Sequence, residues 1–121
     1  MSPDEFKDTL RSFALQYPGA AEGIACAATP IEKRTIKAQS KAFLFIGTAD
    51  VMLKLGELMP EAAELAARRP DLCKAGGSLG WVTIYIRGDE HPPVELVEKW
   101  IDESYRLLAP KKLVASLPAR S

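Results

Sequence analysis

"EKRTIKAQSKAFLFIGTADVMLKLG", residues 32–56, decides how this chain is read. Three strand-like runs stand in it with almost nothing between them. In 32–38, Lys33, Thr35 and Lys37 alternate with Arg34, Ile36 and Ala38, the period-two pattern of a strand with two unlike faces. Residues 41–47, "KAFLFIG", are a strongly apolar run. In 49–56, Val51, Leu53 and Leu55 share one side while Met52 and Lys54 take the other. About two residues separate each run from the next. Parallel neighbours need a crossover of roughly a dozen residues, so these strands pair antiparallel.

Outward from this block, "WVTIYIR" (81–87) is a further strand. Val82, Ile84 and Ile86 make a core stripe, and Trp81, Thr83, Tyr85 and Arg87 face the other way. "EGIACA" (22–27) reads as a short strand and "DLCKAGGSLG" (71–80) as a short strand running into a flexible turn. Helix 1 opens on Ser2, Pro3 and Glu5, an S-x-x-E capping box with proline at the first helical position. Phe6, Leu10, Phe13, Ala14 and Tyr17 form its apolar stripe, and "YPGA" ends it. "MPEAAELAARRP" (59–70) is helix 2, with acids early and arginines late. Helix 3 runs from about Pro93 to Ala109, carrying Val94, Val97, Trp100, Ile101, Tyr105 and Leu108 at helical spacing. "KKLVASL" adds a short final turn or helix. Grouped strands with helices toward both ends predict an α+β fold, a two-layer α/β sandwich. Its antiparallel sheet has about five strands, with helices 1 and 3 on one face.

The 121 residues fit one domain, 1–121, long enough for a core without staples. Sixteen basic and sixteen acidic residues leave no net charge, so any attraction to a polyanion must come from a local patch. Cys26 and Cys73 lie far apart, outside any C-x-x-C pair, as expected of thiols in a reducing compartment. "MSPDEF" has no secretion-signal pattern, and no apolar run approaches a bilayer span; the expectation is a cytoplasmic protein with no membrane partner.

Reactive clusters do not emerge. His91, the lone histidine, sits in the turn-like "DEHPP" and reads as a solvated turn residue. Ser104 in "DESYR" lacks a G-x-S-x-G elbow and reads as a surface or packing serine. Asp102 and Glu103 are adjacent on a helix and so point apart. "KAGGSLG" leads into a strand and lacks G-K-[ST], which argues against a phosphate cradle. Asp4, Glu5 and Asp8 suit capping and the helix dipole better than a metal. The expectation is a non-enzyme with no cofactor and no metal.

The cations say more. Lys33, Arg34, Lys37 and Lys41 are concentrated in 32–47, where Glu32 is the sole acid, and Lys54 follows one strand later. In an antiparallel sheet Lys33, Lys37, Lys54 and Arg87 can share the face of Trp81, Thr83 and Tyr85. Cations attract phosphate and aromatic faces stack on bases. A plain solvated sheet face has the same composition.

Several stretches in their order carry a family resemblance: "LRSFALQYPGA", "TIKAQSKAFLFIG", "VMLKL", "RRPDL", "GWVTIYI" and "WIDESYRLLAPKKL". Within them stand a K-x-F strand start (Lys41, Phe43), a W-V strand (Trp81, Val82) and an S-Y helix end (Ser104, Tyr105). Over residues 5 to 113 or so the chain resembles the YjbR/MmcQ family of small bacterial proteins. The resemblance implies an antiparallel α/β sandwich similar in topology to the bacterial frataxin CyaY, and a DNA-binding role of the "double-wing" kind. It carries over no site residue. From the residues themselves, Lys33, Arg34, Lys37, Lys41, Lys54 and Arg87 are the candidates to meet phosphates, with Trp81 and Tyr85 as stacking groups. The alternative is a protein-interaction module or homodimer using the same aromatic face, since Trp, Tyr and Arg also favour protein interfaces.

Overall fold

The capping box at the N-terminus forms as its spacing requires. In the computed structural model, which describes residues 1–25, 33–75 and 78–118, Ser2 Oγ accepts from the Glu5 backbone N–H at 3.1 Å, and Glu5 Oε1 accepts from the Ser2 N–H at 3.0 Å. It starts α1, Pro3–Leu15, whose Phe6, Leu10 and Ala14 are buried. Gly19, at φ 72°, turns the chain into β1, Ala20–Ala25. Then come β2 (Lys33–Ala38), β3 (Lys41–Ile46), β4 (Asp50–Lys54), α2 (Met59–Arg68) and β5 (Cys73–Lys74). A 3₁₀ turn at Ser78–Gly80 leads into β6 (Trp81–Tyr85), followed by α3 (Val94–Leu108) and α4 (Lys111–Val114). Glu32 and residues 26–27, taken as strand from sequence, lie outside the described residues.

All strand pairs are antiparallel, in the order β1-β2-β3-β4-β6-β5. The sheet thus has six strands where the sequence suggested about five. The short strand read in 71–80 is β5, which takes the sheet edge beyond β6. Gln39 takes φ 58° in the two-residue link from β2 to β3, the left-handed conformation that tight hairpins favour.

The helices lie on one side of the sheet. Leu44, Ile46, Val51, Leu53, Val82 and Ile84 are buried there with Phe6, Leu10, Val97, Trp100 and Ile101. Burying one such side chain contributes about 1.5–3 kcal/mol, so this layer dominates the stability. Between β2 and β3 the register shifts: Ile36 faces Leu44, but Lys37 faces Ala42. Phe43 is the extra residue, and the bulge turns it inward with Leu44, both fully buried. Its ring meets Tyr105 edge-on at 5.1 Å.

The run "DESYR" on α3 joins the layers. Tyr17 donates to Asp102 Oδ1 at 2.7 Å and Arg106 to Asp102 Oδ2 at 2.8 Å. The buried Glu103 carboxylate accepts from the backbone N–H groups of Gly56 and Leu58, at the entry to α2. Tyr105 donates to the Pro18 carbonyl at 2.7 Å. Asp102 and Glu103 do point apart, as their adjacency requires.

Both phenols are held neutral. Burial, then the hydrogen bond and negative charge of Asp102, push Tyr17 well above the usual phenol range, and burial raises Tyr105. A raised acid contributes stability that is intact below its unfolded value, near pH 10 for tyrosine, and is lost as pH rises through the folded one. The melting temperature is therefore expected to hold to about pH 10 and fall above it. Tyrosinate absorbance from these two residues should appear with unfolding, in parallel with circular dichroism.

Candidate functional site

On the face of the sheet turned away from the helices, the side chains of β3, β4 and β6 are part-exposed, while Thr35 on β2, opposite Phe45, is buried. Alternation in β6 sends Val82 and Ile84 to the core and leaves Trp81, Thr83 and Tyr85 half-buried on the other side. Register adds their neighbours. Lys54 stands opposite Trp81, Met52 opposite Thr83 and Asp50 opposite Tyr85. Phe45 stands opposite Met52, and its ring meets Trp81 edge-to-face at 5.6 Å. Lys74 on β5 is opposite Thr83 and exposed. Exposed Arg87 places its guanidinium 5.5 Å from the Tyr85 ring centre and donates to the Asp71 carbonyl at 3.1 Å. On β2, exposed Lys37 faces Ala21 and Ala42. An aromatic centre is therefore bordered by Lys37, Lys54, Lys74 and Arg87.

The turn before β6 aims this centre. Gly80 is at φ 81°, and its carbonyl accepts from the Leu55 N–H at 2.9 Å. A Cβ at Gly80 would stand 2.7 Å from the Leu55 oxygen, so only glycine lets the turn lie so close to the end of β4. Leu79 beside it is left-handed at φ 65° and 78% exposed.

Not every cation expected here joins the face. Arg34 alternates to the helical side, where it lies 3.6 Å from Glu22. Lys41 begins β3 opposite buried Ala38, away from the rings. Lys33 opens β2 in register with Ala25 and is placed by its backbone alone. The structure gathers Lys37, Lys54, Arg87, Trp81 and Tyr85 from the expected set. Reasoning from sequence overlooked Lys74, Phe45 and Met52.

Charge is segregated although the chain is neutral. The six strands carry Lys33, Arg34, Lys37, Lys41, Lys54 and Lys74 against Glu22 and Asp50. Glu22 belongs to the helical side, salt-bridged to Arg11 at 2.9 Å, which leaves Asp50 as the acid among the open-face strand residues. A cleft of about 440 Å³ on the helical side is lined by Lys7, Arg11 and Arg34 together with Asp4 and Asp8. Its cations are engaged within the protein: Lys7 donates to the Thr48 carbonyl at 3.0 Å, and Arg11 and Arg34 meet Glu22.

Ser104, Cys73 and His91 are each built into the packing of the fold. Ser104 is fully buried and bridges two strands, donating to the Phe43 carbonyl at 2.7 Å and accepting from the Lys54 N–H at 3.0 Å. Cys73 is buried with its thiol pushed up to about 11 by burial, which leaves it protonated and unreactive near neutrality. His91 corrects the solvated-turn reading. It is half-buried, its ring stacks on Phe6 at 4.0 Å, and Nδ1 donates to the Pro92 carbonyl at 2.7 Å. Among the described residues, no three His, Cys, Asp or Glu side chains are grouped to hold a metal, and no helix is long and apolar enough to cross a membrane.

No family model and no curated protein matches the sequence. A solved structure does. The Deinococcus radiodurans protein DR2400, described as a DUF419 domain, is similar with a TM-score of 0.59 at 23% identity, over 84% of this chain and 76% of that one. This chain has the fold of a DUF419 domain. DUF419 lies within the YjbR/MmcQ family; at 23% identity the likeness to this chain is one of fold.

Proposed function

We propose that this chain is a non-enzymatic cytoplasmic domain of the YjbR/MmcQ kind that binds nucleic acid on the open face of its sheet. One observation carries the reading. Trp81, Phe45 and Tyr85 sit uncovered by any described helix and bordered by Lys37, Lys54, Lys74 and Arg87, while Asp50 is the acid among that face's strand residues. Lysines meet phosphates as mobile point charges, and aromatic faces accept bases of any sequence. The DNA-binding role implied by the family resemblance is in keeping with this surface.

Four phosphate contacts give a log–log salt slope of about −3 to −4, so raising salt from about 50 to 200 mM should weaken binding roughly a hundredfold. Fluorescence anisotropy with labelled oligonucleotides at the two concentrations measures it. An absence of binding at the lower salt refutes the proposal. A stable dimer by light scattering, combined with that absence, assigns the aromatic face to self-association instead.

A further inference from the structure

Resting on the nucleic-acid reading, we infer that the ligand of the open face is single-stranded, DNA or RNA, and that duplex is excluded from its aromatic centre. The argument is one of shape. Lys37 lies on β2 and Lys74 on β5, with β3, β4 and β6 between them. Neighbouring strands are about 4.8 Å apart, so the cationic border is roughly 19 Å wide. The major groove of B-DNA is about 12 Å wide and admits a helix or a two-stranded ribbon, not a sheet of this breadth. A duplex resting on this surface would reach the lysines with its phosphates and leave the rings untouched.

The helices offer no better reader. The longest, α3, buries Val97, Trp100, Ile101, Glu103, Ser104 and Tyr105, and its remaining charged positions are mostly acidic: Glu95, Glu98 and Asp102 against Lys99 and Arg106. The rings sit instead in the middle of the sheet. Trp81 and Tyr85 are four residues apart along β6, about 13 Å, with the Thr83 hydroxyl between them and Phe45 edge-on to Trp81. Rings so placed engage only bases that are already unstacked and splayed, as on other sheet surfaces that read single strands.

Two tryptophans make the test direct, because Trp100 is fully buried and Trp81 is not. The 121-residue chain is titrated at low salt with a twelve-nucleotide oligo-dT, an oligo-rU of the same length, and a twelve-base-pair duplex. The expected result is quenching of Trp81 fluorescence by either single strand and affinity at least about tenfold above that for duplex. Trp81→Ala should lose roughly tenfold for single strands and little for duplex, while Trp81→Phe, which keeps a ring, should recover most of the loss. Comparable dT and rU affinities mark a strand-selective surface; a large difference shows that the sugar or the thymine methyl is also read, and either supports the inference. Duplex binding as tight as single-strand binding, or single-strand binding without quenching, overturns it while the nucleic-acid reading stands. Binding of none of the three overturns both.

Discussion

Reversing Lys37, Lys54 and Lys74 together, as K37E/K54E/K74E, is expected to weaken nucleic-acid binding at about 50 mM salt by roughly a thousandfold and to flatten the salt slope by about two to three. Each lysine lost removes one phosphate contact and its counterion release, and the glutamate adds repulsion. Lys37 and Lys74 are exposed and Lys54 ends its strand, so the fold should survive, which the far-ultraviolet dichroism and melting temperature will show. The control is a reversal of equal charge on the helical layer, Arg68→Glu with Lys111→Glu and Lys112→Glu, all exposed positions. It should bind within a fewfold of the wild type. Equal losses in the two triple variants would mean that only net charge matters and that the face has no special part.

The second large effect concerns the scaffold. Ser104→Val is expected to destabilise the chain by about 2–4 kcal/mol, because the Phe43 carbonyl and the Lys54 N–H would each lose their hydroxyl partner. β3 and β4 are paired at Phe45–Met52 and Ile46–Val51, and beyond that point the serine stands between them. Valine is larger than serine, so at this fully buried position it shuts out a replacement water and adds overpacking to the loss. Against a typical domain stability of about 5–15 kcal/mol this is a large fraction, readable as a lowered midpoint in urea. Tyr105→Phe, next door, removes one hydrogen bond to Pro18 and should cost only about 1 kcal/mol. Equal costs for the two would show that Ser104 is not a bridge. Because Lys54 stands opposite Trp81, the same serine also holds a lysine of that face in register with the ring.

What could be read from sequence followed range. The capping box, the hairpin link at 39–40 and the two-faced alternation of β6 are set by neighbours within a few residues, and all appear where their spacing puts them. β5 could be glimpsed as a strand but not placed. A return through α2 does not dictate whether it joins β4 or the far side of β6, and without that placement Lys74 had no face. Phe45 was hidden for another reason. After Lys41 the run "AFLFI" is apolar throughout, so it has no alternation to betray its sides, and the bulge at Phe43 shifts them by one residue. For Arg34 the alternation was informative: it separates Arg34 from Lys37, and the structure keeps them on opposite sides of the sheet. His91 owes its stacking to α1 passing over it, a contact between residues 85 positions apart that no local pattern records.

The most direct test of the open face as the contact surface is a map of backbone amide shifts on adding oligo-dT to the isotopically labelled chain. The predicted result is a set of perturbations across Phe45, Met52, Lys54, Lys74, Trp81, Thr83 and Tyr85, fading with added salt, with the outer sides of α1 and α3 unmoved. Perturbations gathered at Lys7, Arg11 and Arg34 in the helical-side cleft would contradict the account.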